Sequence, residues 1–378
     1  MNWVAWKMLT GDRTKYLGIV FGVAFGSLLI AHQTSIFVSL MYRTVSQIVD
    51  VADADVWVMD EHVQSVDELR AISENDISLV RGVPGIEWAV GLYKGMVTAQ
   101  QSNGVHRQVI LMGLDDSSLV GAPREMFLGN LSALRQPDAV LIDKAGYTYL
   151  FPGQPYRLGA TLEINDRRAV IAGICKASPP FQTFPVLFAR YSVARQFAPP
   201  QRNILSFVLA KVGPGADPQQ VCQQIQQRTG RLALTKSQFA WRTVVYYLKS
   251  TGIPINFGIT IALGFIVGTA IAGQTFYLFT IENLKQFGNL KAMGVTNGRI
   301  VQMILLQATV VGVLGYGIGI GISALFFEMT QEITHLAQFH TPWQVALMTA
   351  IAVVCIVMAA SILSIRRVLV LEPAVVFR

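Results

Sequence analysis

Four long apolar stretches constrain this chain more than any other feature of its sequence. A helix needs roughly 20 predominantly apolar residues to cross the hydrocarbon core of a bilayer. The stretches that meet this requirement are residues 16–41, 253–281, 300–327 and 343–365. Only 14% of all residues are charged, whereas a typical soluble domain has about 25%. The chain is therefore predicted to be an integral membrane protein with four transmembrane helices.

Basic residues flank these stretches unevenly, and the asymmetry predicts the orientation. Segment 328–342 contains Glu328 and Glu332 but neither Lys nor Arg. Because short segments rich in Lys and Arg stay in the cytoplasm, we expect both termini and residues 282–299 to be cytoplasmic and residues 42–252 to lie outside. The flanking basic residues are Lys7, Arg13, Lys15, Lys285, Lys291, Arg299, Arg366, Arg367 and Arg378. They adjoin apolar runs and do not gather with aromatic residues on a soluble face, so we expect no nucleic-acid partner.

The chain therefore divides into a predicted series of segments. The first stretch is too long for a signal peptide and lacks a suitable cleavage site, and Trp3 and Trp6 beside Lys7 indicate an interfacial helix before it. The predicted segments are the interfacial helix and first span (1–41), an external domain (42–252), the second span (253–281), a cytoplasmic loop (282–299), the third span (300–327), a short external loop (328–342), the fourth span (343–365) and a cytoplasmic tail (366–378).

The external segment is predicted to be a mixed α/β domain. Alternating apolar residues and turn residues such as Asn103-Gly104 delimit its elements. The predicted strands are 54–59, 86–100, 107–113, 139–143, 161–175, 205–212 and 231–235, and the predicted helices are 66–80, opened by Ser65, and 218–229. The final strand, turn, helix and strand are typical of a small split α/β sandwich.

Glycines recur four residues apart in the apolar stretches. Such G-x-x-x-G pairs let helices approach closely, either within one subunit or across a dimer. The pattern predicts tight packing but does not say which helix meets which. The pairs are Gly18 and Gly22, Gly22 and Gly26, Gly264 and Gly268, Gly315 and Gly319, and Gly317 and Gly321.

Polar groups within the spans are few. They include His32, Gln33, Gln274 and Gln307, and no Asp, Glu, Lys or Arg occupies a mid-span position. Because ion-coupled carriers usually need ionisable groups near the midplane, this pattern argues against a self-powered secondary transporter. His32 could bind a ligand or metal, but the favoured interpretation is that it caps the outer end of a packed helix.

Motifs for catalysis are absent from the sequence. It contains no G-x-S-x-G, H-E-x-x-H or P-loop motif, so any ATP-binding site of that kind belongs to another chain. Cys175 and Cys222 could pair outside the cell, although nothing in the sequence determines their distance. The acidic run Asp53, Asp55, Asp60 and Glu61 is interpreted as a solvated face and not as a calcium cage. A membrane-anchored external enzyme is therefore the least favoured class of function.

The loop that joins the second and third spans has the most distinctive pattern. Leu284, Phe287, Leu290 and Met293 recur three residues apart among basic side chains, which predicts a short amphipathic helix on the cytoplasmic face. Gly294 is placed to end that helix, and Asn297-Gly298 is interpreted as a turn. The alternative is a solvated basic loop that merely obeys the positive-inside rule.

Three segments resemble the FtsX/MacB-like permease superfamily, which has the type VII ABC transporter fold. Residues 285–294, KQFGNLKAMG, resemble its coupling segment R-E-I-G-x-L-K-A-x-G, and residues 370–374, VLEPA, resemble its L-[DE]-P-A ending. Residues 138–174 are similar to part of its external domain. The resemblance covers almost the whole chain and is closest to the DevC-like permeases. Gln286 stands where the family usually has Glu, so a salt bridge at that position is not carried over.

The resemblance implies a non-catalytic permease subunit of an ABC exporter in the bacterial inner membrane. It would work by mechanotransmission, and the cargo would be a lipid, a glycolipid or a small hydrophobic or peptide molecule taken from the periplasmic side. ATP and Mg would bind to a separate ATPase, and this chain would bind no cofactor or metal. The implied partners are that ATPase, a second permease copy in a homodimer, a membrane-fusion protein, an outer-membrane channel and the bilayer. The alternative is an FtsX-like signalling subunit that activates a periplasmic partner such as a cell-wall hydrolase.

The resemblance also assigns roles to residues of this chain. The residues expected to couple to the ATPase are Glu282, Lys285, Gln286, Phe287, Leu290, Lys291, Met293 and Gly294. The glycines expected to pack helices are Gly18, Gly22, Gly264, Gly268, Gly317 and Gly321.

Overall fold

The computed structural model describes residues 2–198, 205–331 and 339–370, which form two compact units. The helical unit comprises Met1–Ser39 and Gly252–Arg378, and the α/β unit comprises Leu40–Thr251. Three features of the sequence prediction, Glu332, Arg378 and the ending at 371–374, lie outside the described residues.

The elements within the described residues are as follows. The helices are α1 (Asn2–Gly11), α2 (Arg13–Asp50), α3 (Asn75–Arg81), α4 (Lys144–Leu150), α5 (Tyr191–Phe197), α6 (Pro218–Thr229), α7 (Lys236–Ser250), α8 (Ile253–Glu282), α9 (Leu284–Ala292), α10 (Asn297–Met329) and α11 (Trp343–Val370). The strands are β1 (Val56–Met59), β2 (Ile86–Gln100), β3 (His106–Leu114), β4 (Glu125–Gly129), β5 (Ala139–Asp143), β6 (Thr161–Ile164), β7 (Arg167–Lys176), β8 (Val186–Arg190), β9 (Phe207–Val212) and β10 (Leu232–Thr235). A 3₁₀ turn occupies Leu131–Arg135.

Four of the described helices, α2, α8, α10 and α11, are long and apolar enough to cross a membrane. They confirm the predicted class, a four-helix integral membrane protein with a large mixed α/β domain between its first and second transmembrane helices. Helix α2 has 38 residues, and at 1.5 Å per residue it is about 57 Å long. Because the hydrocarbon core is only about 30 Å thick, α2 extends well beyond a single span.

Close contacts between glycines join α2 to α8. A Cβ atom added to Gly26 would lie 3.1 Å from Cα of Gly268, and one added to Gly268 would lie 3.0 Å from Cα of Gly26. A Cβ atom on Gly264 would meet the side chain of Leu29 at 3.0 Å, and one on Gly22 would meet Ile271 at 2.7 Å. The two backbones therefore approach each other as closely as G-x-x-x-G packing allows.

The glycines of α10 fall on two different faces. A Cβ atom on Gly315 would lie 2.6 Å from the side chain of Val23, and one on Gly319 would lie 2.6 Å from Ser27, so this pair packs against α2. Among the described residues, nothing lies within 4 Å of a Cβ atom added to Gly317 or Gly321. The prediction that this second pair packs helices therefore finds no support within a single chain.

The sheet of the α/β unit contains two lobes that share one long strand. Its strand order is β10-β1-β9-β2-β3-β8-β5-β7-β4, with β6 against β2 and β7. Residues Ile86–Leu92 of β2 pair with β9, while Tyr93–Gln100 pair with β3. In the first lobe, strands β1, β2, β9 and β10 alternate with α3 and α6, which is the split α/β arrangement expected from the end of the domain.

The predicted helix at 66–80 is wrong except for its last turns. Helix α3 begins only at Asn75, because the backbone before it has other partners. The carbonyl oxygen of Val66 accepts a bond from the buried ammonium of Lys94, and the amide of Ile72 donates to Leu205. The amide of Ser73 donates to the Asp76 carboxylate at 2.9 Å. The contacts with Lys94 and Leu205, which are distant in sequence, therefore override the local helical pattern, and the bond from Ser73 marks the beginning of α3.

The predicted strand at 161–175 is a hairpin of two strands, β6 and β7. Asn165 and Asp166 join them with φ of 52° and 60°. Positive φ at both positions is the requirement of a type I′ turn, which Asn and Asp tolerate better than most residues. The Asn165-Asp166 dipeptide was therefore a turn signal in the sequence that the strand prediction did not use.

Cys175 and Cys222 are free thiols and both are buried. Cys175 lies in the core formed around Trp57, whereas Cys222 lies in the core beneath α3 and α6. The possible disulfide between them does not form in this structure.

Candidate ATPase-coupling site

The loop between α8 and α10 contains a true helix, α9, with a defined C-terminal cap. Gly294 has φ of +88°, its amide donates to the carbonyl oxygen of Lys291 at 2.9 Å, and the amide of Val295 donates to that of Leu290 at 3.0 Å. These bonds form a Schellman motif, in which glycine adopts the left-handed conformation at low cost. The predicted helix and the position of Gly294 are confirmed. The predicted turn at Asn297-Gly298 is wrong, because these residues begin α10 after Thr296.

The apolar stripe predicted for this segment does not form one exposed face. Phe287 is 0% exposed and packs in the core of the helical unit with Phe279 and Ile300. Leu290 is partly buried against the same core, whereas Met293 is 72% exposed. Three residues fall about 60° short of a full helical turn, so two such steps rotate Met293 about 120° away from Phe287. Phe287 therefore serves packing and is unavailable as a surface contact.

The exposed face of α9 is mainly polar. Lys285, Gln286 and Asn289 are exposed, and Met293 follows at the C-cap. Spacings of one, three and four residues place these side chains on one side of the helix. The surface offered by α9 therefore combines one positive charge, two amides and a flexible apolar side chain.

Lys291 faces a neighbouring helix. Its ammonium donates to the carbonyl oxygens of Val368 at 2.8 Å and Leu369 at 3.2 Å. These carbonyls belong to the last turn of α11, where a cation satisfies free acceptors and complements the helix dipole. Lys291 therefore fastens α9 to the end of α11.

Glu282 is also engaged within the chain. Its carboxylate forms an ion pair with the ammonium of Lys15, which pairs with Asp12 at 2.8 Å as well. Asp12 accepts bonds from the amides of Thr14 and Lys15 at the beginning of α2. The side-chain bond from Lys15 is the main cause that lowers the pKa of Asp12. The end of α8 is thus linked to the beginning of α2.

Helix α1, which contains Trp3, Trp6 and Lys7 of the predicted interfacial helix, completes the site. Sequence reasoning did not anticipate that this helix packs here. Ala5 and Leu9 are fully buried, and the Gln307 side chain donates to the carbonyl oxygen of Ala5 at 2.9 Å. A groove of about 490 Å³ lies between α1 and the junction of α8 and α9, with Lys7 and Gln286 among its lining residues. In the sequence, the polar Gln307 within an apolar span was the only signal of this contact.

Outside this site, Asp143 and His32 make contacts that serve local structure. The Asp143 carboxylate accepts bonds from the amides of Gly146 at 2.8 Å and Val186 at 2.7 Å, and burial raises its pKa to about 6.

The ring of His32 lies 4.9 Å from that of Phe326 and 5.0 Å from that of Phe327, which fits the packed-helix interpretation. Across the described ranges, no group of three or more His, Cys, Asp or Glu side chains is placed to hold a metal.

Two family models match the sequence of this chain. Residues 16–228 match the MacB-like periplasmic core domain, and residues 257–373 match the FtsX-like permease C-terminal model. An uncharacterized ABC transporter permease of Mycobacterium tuberculosis is 27% identical over 305 residues, covering 80% of this chain and 78% of the relative. Another from the same species is 27% identical over 224 residues, or 58% of each chain.

Solved structures show only a weak overall similarity. The periplasmic region of MacB from Actinobacillus actinomycetemcomitans gives a TM-score of 0.39 at 12% identity, covering 53% of this chain and 94% of that one. The extracellular domain of the transporter YknZ from Gram-positive bacteria gives 0.36 at 15% identity, covering 48% and 98%. At these scores the structures add nothing to the family match.

Proposed function

Because this chain belongs to the FtsX/MacB-like family of ABC transporter permeases, we propose that it is the membrane subunit of an exporter driven by mechanotransmission. An ABC transporter permease works with an ATPase partner. In this proposal the ATPase binds α9 and its ATP-driven closure displaces that helix. The permease itself is non-catalytic, and ATP and Mg bind to the ATPase.

The two sides of α9 carry this proposal. Phe287 and Lys291 fasten one side to the core and to α11, while Lys285, Gln286 and Met293 leave the other side open to a partner. A force applied to the open side would therefore move the helical unit rather than bend a loop. The Lys15–Glu282 pair supports this, because it links α2 and α8 next to α9.

The surroundings of α9 follow from the same proposal. Residues 282–299 and both termini would face the cytoplasm of a bacterial cell, and the α/β unit would lie outside. A second permease copy would complete a homodimer, for which the exposed Gly317 and Gly321 leave a face open. A membrane-fusion protein and an outer-membrane channel would receive a lipid, glycolipid or small hydrophobic or peptide cargo.

Co-purification with an ABC ATPase whose gene adjoins that of this chain tests the proposal. The double substitution Lys285→Glu, Met293→Asp should abolish binding and permease-dependent ATP hydrolysis in lipid, while the variant still inserts and elutes like the wild type. Lys249→Glu, which reverses an exposed charge on α7 in the α/β unit, is the matched control and should bind normally.

A wild-type chain that neither binds nor regulates its neighbouring ATPase would contradict the proposal. So would a double variant that binds as well as the control. If the complex forms but a neighbouring cell-wall hydrolase is activated and no cargo moves, the signalling alternative replaces export.

A further inference from the structure

The C-terminal end of α2 is capped by a side chain from another helix. The ammonium of Lys236, the first residue of α7, donates to the carbonyl oxygens of Val49 at 2.9 Å and Val51 at 2.8 Å. Helix α2 ends at Asp50, so these carbonyl oxygens lie where a helix has no amide donors of its own to bond them. A cation at this position satisfies the carbonyls and complements the negative end of the helix dipole.

The backbone on both sides of this contact is also held. The amide of Lys236 donates to the carbonyl oxygen of Asp55 at 2.9 Å, and Thr235 and Gln238 form a reciprocal capping box at the beginning of α7. At the end of α2, the Asp50 carboxylate accepts bonds from both the amide and the hydroxyl of Ser178, each at 2.8 Å. Lys236 therefore joins two helix ends that are each anchored separately.

Helix α7 is fastened to the α/β unit along its length. The Arg242 side chain donates to the carbonyl oxygen of Val63 at 3.0 Å, and the Tyr247 hydroxyl donates to Asp67 at 2.8 Å. Only Thr251 and Gly252 separate α7 from α8. The helix that leads into the second span and the helix that leaves the first span therefore meet at Lys236.

We propose that Lys236 is a positioning residue that makes the end of α2 and the beginning of α7 move as one body. Displacements of both spans would then enter the α/β unit together. The consequence for transport rests on the proposed mechanotransmission, whereas the joint itself does not. Without the ammonium, the carbonyl oxygens at the end of α2 would bind water instead. The two helix ends would then be linked only through their separate contacts with the α/β unit and could shift relative to each other.

Distance measurements between two spin labels test this joint. Tyr42 on α2 and Trp241 on α7 are 60% and 66% exposed, so each can be replaced by a labelled cysteine in a Cys355→Ser background. The full chain is studied in lipid nanodiscs with its ATPase, diluted with unlabelled permease to suppress distances between copies. Spectra are compared without nucleotide and with ATP and vanadate.

The series compares Lys236→Met with Lys236→Arg and with the control Lys249→Met on the same helix. In the labelled protein that retains Lys236, we expect a single narrow distribution of the distance between the two labels. This distribution should be unchanged between the two nucleotide states. Lys236→Met should broaden that distance and shift it between states, while permease-dependent ATP hydrolysis persists. Lys236→Arg should restore the narrow distance, because guanidinium keeps the charge and the donors.

A merely structural role predicts a different result. Where the wild-type permease binds the ATPase and stimulates its ATP hydrolysis, that role would broaden the Lys236→Met distance equally in both nucleotide states and lower the unfolding temperature without any nucleotide-dependent shift. This result would overturn the proposal. Equal distances in Lys236→Met and wild type would also overturn it. If Lys236→Met does not fold, Lys236→Gln, which retains one donor group, takes its place under the same criteria.

Failure of the proposed function gives a separate signature. Wild-type permease would then neither bind the ATPase nor respond to nucleotide. The nucleotide-free comparison still decides the joint in that case: a broadened distance in Lys236→Met that Lys236→Arg restores supports it, and an unchanged distance rejects it.

Discussion

The ammonium of Lys94 lies 2.6 Å from a carboxylate oxygen of Asp67, inside the α/β unit. The other carboxylate oxygen of Asp67 accepts a bond from the Tyr247 hydroxyl at 2.8 Å. Burial lowers the pKa of Lys94, and the charge of Asp67 opposes that effect. The pair therefore stabilises the fold only while both partners are present, and it holds α7 against the sheet.

Removal of one partner of this pair should destabilise the α/β unit strongly. Lys94→Met leaves a partly buried carboxylate without its ammonium, and such a break costs about 3 kcal/mol of unfolding free energy. The double variant Lys94→Met, Asp67→Leu should lose less than the two single variants combined. Alkylation of the buried Cys175 during urea unfolding, in a Cys355→Ser background, measures the loss.

The control for this cycle is an exposed pair. Lys176 pairs with Glu125 at the surface, where both side chains are more than half exposed. Lys176→Met should therefore cost less than about 1 kcal/mol. Strict additivity in the buried cycle would show that Lys94 and Asp67 do not act as a unit.

Glycines of the same motif should respond differently to the same substitution. Gly268→Leu places a large side chain where even a Cβ atom would lie 3.0 Å from Gly26, so α2 and α8 must separate. Gly317→Leu meets open space within the chain. We expect Gly268→Leu to lower the unfolding temperature in detergent and Gly317→Leu to leave the unfolding temperature of the monomer unchanged. Fluorescence-detected size-exclusion chromatography after heating measures both. Equal losses would show that the contact between α2 and α8 is not limiting.

The buried carboxylate of Asp143 should make stability depend on pH. Its folded pKa of about 6 lies above the ordinary value of 3.8. The protonated form is therefore favoured by the fold, and the associated stability is present below pH 3.8 and is lost as pH rises through 6. The loss amounts to about 3 kcal/mol.

Asp143→Asn should remove this dependence. The amide keeps one acceptor oxygen but cannot ionise. Between pH 4 and pH 7, the unfolding free energy of the wild type should therefore fall relative to that of the variant. Urea unfolding monitored by tryptophan fluorescence, to which the buried Trp57 contributes, measures this difference. Glu87→Gln, at an exposed carboxylate, is the control. A constant difference across this range would contradict burial as the cause.

The three cysteines should all be free thiols without any added reductant, because none of them is paired. Cys175 and Cys222 are buried, and burial raises the pKa of the Cys222 thiol to about 11. Both should resist alkylation in the native protein at neutral pH, since the thiolate is the reactive form. Denaturation without reductant should release all three thiols, counted by mass spectrometry. A mass two protons lower would reveal a disulfide.

Local patterns in the sequence determined the fold class and many of the individual elements. Long apolar stretches fit only membrane helices, Pro218 and Gly230 delimit α6, and Gly294 ends α9, because each depends on hydrophobic period or backbone conformation alone. The same reasoning predicted the short helix α9. It failed where the deciding partner is distant in sequence, as for the residues before Asn75.

Tertiary structure decided what each side chain of these elements contacts. The sequence treats Phe287 and Met293 alike, yet packing buries one and exposes the other. Lys236 resembles any surface lysine until the end of α2 is placed beside it. Hydrophobic period reports the environment averaged over a helix, whereas burial and ion pairing depend on individual contacts between segments many residues apart. Only the folded chain supplies those contacts.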